Sequence, residues 1–303
     1  MPYDHPASRL AVVDIGSNSV RMVIYDISHN PPIQVFNEKV FCALGRDLGR
    51  TGMLSPEGKR EALKALKAYT LITDIQKIPH GQLIAVGTAA LRDAGDGREF
   101  INEVYKQTGL KIRIISGDEE ARYAAHGVMM FAPDADGVAA DFGGGSLEFA
   151  RVSKHQILDT TSLPLGAYRV EAHGEKADEI IAQACHDVFD RFGNCTALYA
   201  IGGSWRALAG AYMIGIGEQH PLQGYRVNSQ AMADFCAKIA FMDVELIRQM
   251  FRMEGHRAAL APVAAKTLAS VLNTLKPQYF VVSLAGVRDG LVHEYLSLKG
   301  KKV

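Results

Sequence analysis

One short pattern occurs twice in this chain, and it constrains the fold more than any other feature. The first copy, DIGSNS, spans residues 14–19, and the second, DFGGGS, spans residues 141–146. Each copy lies between two apolar segments of strand length, near the start of a run of three predicted strands. The repeat predicts an α/β protein with two similar domains that face each other across a cleft. Such a cleft most often grips a nucleotide or a phosphate group.

The spacing of apolar residues predicts strands and helices in the same order in both halves. The segment FAPDADG at 131–137 is rich in turn-forming residues and is the predicted boundary. It gives an N-terminal domain of residues 1–130 and a C-terminal domain of residues 131–303, whose last helix is expected to pack back on the first domain. Strands are predicted at 10–15, 21–26, 33–44, 82–86, 111–115, 137–142, 145–152, 155–162, 197–201 and 278–284, and helices at 55–76, 97–107, 118–130, 178–191, 204–214, 229–240, 244–253, 258–275 and 288–298.

The charge balance excludes some partners. Lys plus Arg and Asp plus Glu both number 33, so no overall basic field would attract nucleic acid or a membrane surface. A phosphate-rich substrate therefore needs a local basic site. We expect a cytoplasmic protein, because no run approaches the roughly 20 apolar residues of a membrane span and the N-terminal residues lack a signal-peptide core. The widely spaced cysteines predict reduced, packed thiols: Cys42, Cys185, Cys195 and Cys236.

The triple glycine of the second repeat is the strongest local signal. Gly143, Gly144 and Gly145 carry no Cβ atom, so the backbone is expected to take positive φ and to turn several N–H groups toward one point. Such a nest binds an anion, and Ser146 adds a hydroxyl donor. A flexible hairpin turn is the alternative, but the flanking acids and the repeat at residue 14 favour the anion site.

Two carboxylates flank this turn. Asp141 ends a predicted buried strand, where an uncompensated charge is costly, so it should face the cleft and bind a cation. Mg²⁺, or another divalent cation such as Mn²⁺, suits oxygen ligands from Asp141 and Glu148 that bridge to phosphate. The alternative for Glu148 is a solvated strand position.

Further candidate phosphate ligands lie where other strands end. Arg92 follows the carboxyl end of a strand, where ligands in open α/β sheets usually lie, and its guanidinium suits phosphate oxygens. An ion pair with Asp93 or Asp96 is the alternative for Arg92. A Gly-Gly pair precedes the predicted helix at 204–214 and offers an anion or ribose site at that helix N-terminus. The complete set of these candidates is Asp14, Ser17, Asn18, Arg21, Thr88, Arg92, Gly202 and Gly203.

The helix at 118–130 begins with paired acids, Glu119 and Glu120. Carboxylates near a helix N-terminus are stabilised by the helix dipole, which is a sufficient structural reason for both. In a cleft that binds phosphate, however, a carboxylate is unfavourable unless it accepts a proton from water. The residues alone do not choose between the two acids.

Five segments together resemble the exopolyphosphatase and guanosine pentaphosphate phosphohydrolase (Ppx/GppA) family of the actin–hexokinase–Hsp70 superfamily. They are DIGSNSVR, GTAALRDA, ISGDEEARYAAHGV, DFGGGSLE and SLPLGAYR, and the resemblance covers nearly the whole chain. It implies two ribonuclease H-like (actin-like ATPase) domains, each a mixed sheet flanked by helices. The chain resembles the short, two-domain form and has no segment like the helical C-terminal domain of longer members.

The resemblance also implies roles for individual residues. Glu119 would be the base that activates water, and Asp141 and Glu148 would hold the metal. The glycine turn with Ser146 would cradle the terminal phosphate, with Ser17, Asn18, Arg21 and Arg92 as further ligands. The segment at 257–270 lacks the Gly-Gly pair usual in superfamily kinases that bind adenosine, which disfavours an ATP-dependent kinase.

Three functions follow as hypotheses. The first is release of terminal orthophosphate from inorganic polyphosphate, by in-line attack of water. The second is a pppGpp 5′-phosphohydrolase that makes ppGpp, and the basic residues Arg169, Arg206 and Arg226 near the entrance would fit either substrate. The third is a non-catalytic sensor of guanosine penta- or tetraphosphate or of polyphosphate. The long apolar helix at 258–275 is compatible with a homodimer.

Overall fold

The computed structural model describes residues 8–300, so the outer ends of both predicted domains, 1–7 and 301–303, lie outside the described residues. The first sheet has the strand order β3-β2-β1-β4-β5. Strands β1, β2 and β3 run antiparallel, whereas β4 pairs parallel with β1 and β5 pairs parallel with β4. The strands are β1 (Arg9–Ile15), β2 (Ser19–Asp26), β3 (Ile33–Phe41), β4 (Leu83–Gly87) and β5 (Arg113–Ile114).

The second sheet repeats this arrangement and adds an edge strand. Its order is β10-β11-β9-β6-β7-β8, with three antiparallel strands, β6 to β8, followed by parallel β9 and β11. The two sheets therefore have similar strand topologies, as the sequence repeat predicts. The strands are β6 (Gly137–Phe142), β7 (Leu147–Ser153), β8 (Gln156–Leu163), β9 (Ala197–Ile201), β10 (Arg226–Asn228) and β11 (Tyr279–Val282).

Helices cover both sheets, and their ends follow local capping chemistry. Ser55 caps the longest helix of the first half by accepting a hydrogen bond from the Gly58 N–H, with Pro56 at the first helical position. The helices of the first half are α1 (Leu48–Thr51), α2 (Pro56–Ile75), α3 (Ala89–Asp93), α4 (Gly97–Thr108) and α5 (Gly117–Phe131). Those of the second half are α6 (Ala167–Ala172), α7 (Ala177–Phe192), α8 (Gly203–Ile216), α9 (Ser229–Ile239), α10 (Val244–Met250), α11 (Gly255–Leu275) and α12 (Val287–Leu298).

Helix α11 is the central helix of the second half. Within residues 8–300 it alone is long and apolar enough to cross a membrane by length and composition, but core helices pass the same test. It packs against α7, α8 and α9, and its apolar side chains belong to the largest buried cluster. Its apolar surface is therefore used inside the protein, and it offers no argument for the predicted homodimer.

Helices α5 and α12 lie between the two sheets. They contact each other extensively, α12 also contacts β1, and α5 contacts β6, β7 and β8. Glycines allow this crossing, because a Cβ atom at Gly127 would lie 2.4 Å from the Gly286 carbonyl oxygen and one at Gly290 would lie 2.0 Å from the Tyr123 carbonyl oxygen. The start of α5 is consequently held between the halves, at the edge of the cleft.

Candidate active site

Two hairpin turns with the same hydrogen bond face the cleft. The Gly16 N–H donates to the Ser19 carbonyl oxygen at 3.0 Å, and the Gly143 N–H donates to the Ser146 carbonyl oxygen at 3.0 Å. Each turn joins the first two antiparallel strands of its sheet. The sequence repeat is therefore a structural repeat.

Close approach, rather than an unusual backbone conformation, explains the triple glycine. Gly143, Gly144 and Gly145 all have φ outside the left-handed region, so the predicted positive φ is wrong. A Cβ atom at Gly145 would lie 2.5 Å from the Ser17 Oγ and 2.9 Å from the Ala89 Cβ. The missing side chains let the two turns come into contact and leave backbone groups accessible to a ligand.

The cleft around these turns collects most of the predicted phosphate ligands. It lies between the halves and is lined by both turns, by the starts of α3 and α8, and by residues of α11 and α12. The predicted residues that line it are Asp14, Ser17, Asn18, Arg21, Thr88, Asp141, Gly143, Gly144, Gly145, Ser146, Gly202 and Gly203.

Hydroxyl groups on the cleft wall are available to a ligand. The Ser17 side chain is 4% exposed, and its Oγ has no hydrogen-bond partner within residues 8–300. A buried hydroxyl without a partner costs about 1–3 kcal/mol, which a phosphate oxygen at this position would offset. Thr88 and Ser146 are also buried and line the same space. Asn18 instead accepts a hydrogen bond from the Tyr168 hydroxyl at 2.5 Å, which ties α6 to the first turn.

One wall of the cleft is strongly basic. The strand register places Asp14, Arg21 and Lys39 opposite one another across β1, β2 and β3. Burial, followed by repulsion from Arg257 and Arg206, lowers the pKa of Lys39 to about 8. Cations that depress one another's pKa values are poorly compensated by the protein and favour an anionic ligand.

Arg206 and Arg288 complete this wall from the second half. The Arg206 Nε donates to the Gly202 carbonyl oxygen at 3.0 Å, and burial with repulsion from Arg288 lowers the Arg206 pKa to about 10. Two cations of the wall have carboxylate partners: Arg288 donates to Asp14 Oδ2 at 2.8 Å, and Arg257 pairs with Glu254 at 3.5 Å. Asp14 is thereby held by a protein cation.

The structure corrects the prediction for Glu119. Its carboxylate accepts the Ser116 N–H at 2.7 Å, and the Ser116 Oγ accepts the Glu119 N–H at 3.1 Å, which forms a capping box. It also pairs with Arg113 at 2.7 Å, and the Ser116 hydrogen bonds with this ion pair lower its pKa. Its side chain is 40% exposed and lies outside the cleft. Glu119 is therefore an unsuitable base.

Glu120, the next residue, points into the cleft. It is 8% exposed and lines the same space as both turns. Burial, and then the negative charge of Glu148, raise its pKa well above the ordinary carboxyl value. A buried carboxylate with a raised pKa is a suitable acceptor for a proton from water.

Arg92 lies behind Glu120 and does not line the cleft. Its guanidinium donates to Glu120 Oε2 at 3.2 Å, to the Ile115 carbonyl oxygen at 3.2 Å and to Asp93 Oδ1 at 3.1 Å. The predicted alternative, an ion pair with Asp93, is thus part of its environment. The structure assigns Arg92 to holding Glu120 rather than to direct contact with a ligand in the cleft.

Asp141 and Glu148 lie side by side in the β6–β7 register but differ in access. Asp141 lines the cleft, and burial with the nearby Asp14 charge raises its pKa to about 6. Glu148 is 1% exposed, accepts a hydrogen bond from the Ser162 Oγ at 2.7 Å and has a pKa raised by burial to about 7. Direct metal binding by Glu148 is therefore not supported.

Of the two predicted metal ligands, Asp141 is the one that lines the cleft and could bind a divalent cation. Within residues 8–300, no group of three His, Cys, Asp or Glu side chains could hold a metal. Mg²⁺, however, commonly binds through one or two carboxylates, several waters and substrate phosphates. A buried carboxylate with a raised pKa on the wall of an anion cleft suits that mode, since the cation would stabilise its charged form.

Sequence reasoning missed several residues of this site. Lys39 and Arg257 gave no local signal, because only the cleft brings them near the turns. Arg206 is in the cleft as expected, but Arg226 lies over the Tyr279 ring at 3.2 Å and Arg169 lines a different cavity. The Ser-x-x-Glu spacing of Ser116 and Glu119 was a usable signal, since it predicts a capping box and leaves Glu120 as the remaining acid.

The comparison with known structures gives consistent matches over nearly the whole chain. An exopolyphosphatase from Cytophaga hutchinsonii is 25% identical with a TM-score of 0.83, and the match covers 97% of this chain and 99% of that one. An Aquifex aeolicus member of the Ppx/GppA family is 22% identical with a TM-score of 0.80 and the same coverage. The predicted α/β fold class is confirmed.

Two curated proteins are similar in sequence. A bifunctional 3-dehydroquinate synthase/phosphatase from Fusobacterium nucleatum is 33% identical over 168 residues, 53% of this chain and 25% of that protein. Retrograde regulation protein 2 from Saccharomyces cerevisiae is 28% identical over 328 residues, 94% of this chain and 55% of that protein. The chain thus spans about a quarter and about half of their lengths. The sequence model of the Ppx/GppA phosphatase family matches residues 9–299, and this chain belongs to that family.

Proposed function

We propose that this protein hydrolyses phosphoanhydride bonds and releases terminal orthophosphate from inorganic polyphosphate. One observation carries the proposal: a basic wall and two donor-rich turns share a cleft with Glu120, a buried carboxylate that is held by Arg92 and has a raised pKa. The family membership and the similarity to an exopolyphosphatase support it. The following steps rest on this arrangement.

Glu120 orients the attacking water and accepts its proton. The water oxygen forms a bond to the terminal phosphorus while the bond to the bridging oxygen breaks, and the bridging oxygen leaves with the electron pair. Because the transition state of such transfers is loose, positioning and charge stabilisation supply most of the catalysis. Arg92 fixes the Glu120 carboxylate, and the Glu119 capping box fixes the start of α5.

The turns and the basic wall stabilise the charge on the transferring and leaving groups. Backbone N–H groups of the glycine turn and the hydroxyls of Ser17 and Thr88 are available to the terminal phosphoryl oxygens, whereas the Ser146 side chain hydrogen-bonds to Glu148. Arg21, Lys39 and Arg206 are available to the next phosphates of the chain. Asp141 would hold Mg²⁺ or Mn²⁺, which when bound would neutralise charge on phosphate oxygens.

The second candidate substrate is pppGpp, and one observation favours it. The His256 ring lines the cleft and lies 4.7 Å from the Phe41 ring, centroid to centroid, at an interplanar angle of 36°, so these rings offer an aromatic contact for a guanine base. A purely binding function is disfavoured, since a sensor for phosphate gains nothing from a buried carboxylate such as Glu120.

The test is phosphate release from three substrates in parallel. Purified protein with Mg²⁺ is incubated with polyphosphate, pppGpp and ATP, and orthophosphate is measured over time. We expect fastest release from polyphosphate, slower release from pppGpp and little from ATP. Tight binding of polyphosphate or pppGpp without hydrolysis of any of the three would contradict the proposal and favour the sensor.

A further inference from the structure

A second cavity lies behind Glu120, on the side away from the basic wall. It has a volume of about 560 Å³, opens to solvent, and is bounded by the end of α3, the start of α5, the end of β8 and parts of α6 and α7. Its cationic lining consists of Arg92, Arg169 and Arg191, and hydroxyls of Thr160 and Ser162 face the same space. Nothing described above assigns it a role.

This rear cavity adjoins the catalytic cleft. Ser146, at the end of the glycine turn, lines both spaces. Arg92 lines the rear cavity and donates to Glu120, which lines the cleft. The Arg92–Glu120 pair and Ser146 therefore form the partition between the two spaces, and the reacting phosphoryl group would sit against that partition.

The charge of the lining suits a small anion that passes through the cavity without binding tightly. Each arginine already has a carboxylate partner, since Arg92 and Arg169 both pair with Asp93 and Arg191 pairs with Asp159. Compensated cations attract an anion but hold it weakly, unlike the mutually repelling cations of the basic wall. The cavity also contains Asp118, which accepts a hydrogen bond from the Thr160 hydroxyl and further limits anion retention.

In-line attack makes such a route useful. Water attacks from the Glu120 side, so the leaving chain lies on the opposite side, along the basic wall. After cleavage the new orthophosphate is enclosed between Glu120 and the shortened chain. It can leave through the cleft only after that chain has dissociated.

We propose that orthophosphate leaves through the rear cavity, which allows the shortened polyphosphate to stay bound and to be cut again. The inference rests on the proposed function and adds to it a path for the product. It predicts that obstruction of the rear cavity leaves the first cleavage intact and slows the following ones.

Selective labelling can obstruct the cavity. Arg191 lies on α7 at the rim, and its side chain is 49% exposed, so Arg191→Cys should accept a bulky maleimide. The native cysteines Cys42, Cys185, Cys195 and Cys236 are all buried and should not react. Glu179→Cys, exposed on the same helix and away from the cavity, is the matched control.

The readouts are the first-turnover rate, the steady rate of phosphate release and the length distribution of the chains. For labelled Arg191→Cys we expect a first turnover within about twofold of wild type, a steady rate lower by roughly fivefold or more, and partly shortened chains in solution. Labelled Glu179→Cys should behave like wild type in all three readouts, and unlabelled Arg191→Cys is the baseline against which the effect of the label at residue 191 is measured. Unchanged steady release and unchanged processivity after labelling at residue 191 would overturn the inference, whereas lack of hydrolysis by the wild type would instead overturn the proposed function.

Discussion

The two hairpin turns have the same backbone hydrogen bond but present different chemical groups to the cleft. The first turn brings side-chain donors, Ser17 and Asn18, whereas the second brings backbone groups made accessible by glycine. Their acids differ as well: Asp14 is paired with Arg288, and Asp141 lines the cleft with a raised pKa. In the duplicated scaffold, Asp14 therefore has a cationic partner within the protein, whereas Asp141 remains accessible to a ligand in the cleft. Four predictions test this difference.

Among the residues of the two turns, loss of the Asp141 charge should have the largest effect on activity. In Asp141→Asn we expect kcat to fall by roughly 10²–10³, because the residue proposed to bind the cation loses its charge. Stability should change in the opposite direction. Burial raises the pKa of Asp141 to about 6, so its ionised form destabilises the folded state as pH rises through that value.

The measurement for Asp141 combines kinetics with thermal unfolding without metal. At pH 7.5 the Asn variant should unfold at a temperature equal to or above that of the wild type. This advantage should disappear below about pH 4, where the wild-type carboxyl group is protonated in both states. A variant that is less stable at pH 7.5 and active would contradict the assignment.

Loss of the Asp14 charge should act mainly on stability. In Asp14→Ala the Arg288 guanidinium, whose side chain is 15% exposed and which donates to Asp14 at 2.8 Å, loses its partner. We expect a loss of about 3–5 kcal/mol in the free energy of unfolding, measured with denaturant. Adding Arg288→Met should recover part of that loss, and failure of this rescue would show that Asp14 acts on something other than Arg288.

The glycines of the two turns should tolerate a methyl group unequally. A Cβ atom at Gly145 would meet Ser17 and Ala89, whereas one at Gly16 would lie 3.5 Å from the Ser19 carbonyl oxygen, an ordinary contact. We expect Gly145→Ala to lower kcat/KM by roughly 10-fold or more, because the turns must separate. Gly16→Ala is the matched control, and equal losses in the two variants would refute close approach as the reason for the glycine.

The smallest expected effect is a shift in pH dependence. Activity needs ionised Glu120, so it should fall as pH drops through the raised pKa of that residue. The charge of Glu148 contributes to this raised pKa, so Glu148→Gln should move the acid limb of the kcat profile to lower pH. The measurement is kcat from pH 5 to 9, and an unchanged limb would exclude electrostatic coupling between the two carboxylates.

The sequence was informative where local pattern decides structure. Both turns and nearly all long helices were predictable, because apolar spacing, a Ser55 cap and a Pro56 start are local signals. Short elements such as α1, α3 and α6 were missed, since they contain too few residues for a periodic pattern. The glycine turn was located correctly, but its reason lies in Ser17 and Ala89, which are distant in sequence.

Assigning roles within the site required three-dimensional information. Glu119 and Glu120 are neighbours with the same chemistry, and the helix rotates them to different faces. Arg92 has its partner Glu120 at a separation of 28 residues, and its guanidinium could equally have faced the cleft. Lys39 belongs to a mostly exposed strand, β3, and only the cleft between the two halves brings it near the glycine turn.

The most direct test of this account compares Glu120→Gln with Glu119→Gln under identical conditions. For Glu120→Gln we expect kcat for polyphosphate to fall by roughly 10²–10⁴ with little change in binding, because the proton acceptor is lost. Glu119→Gln should keep a kcat within about threefold of the wild type, because Gln can retain the capping box and only the charge and the exposed ion pair with Arg113 are lost. A Glu120→Gln variant that turns over normally, or a Glu119→Gln variant that binds but does not cleave, would contradict the account.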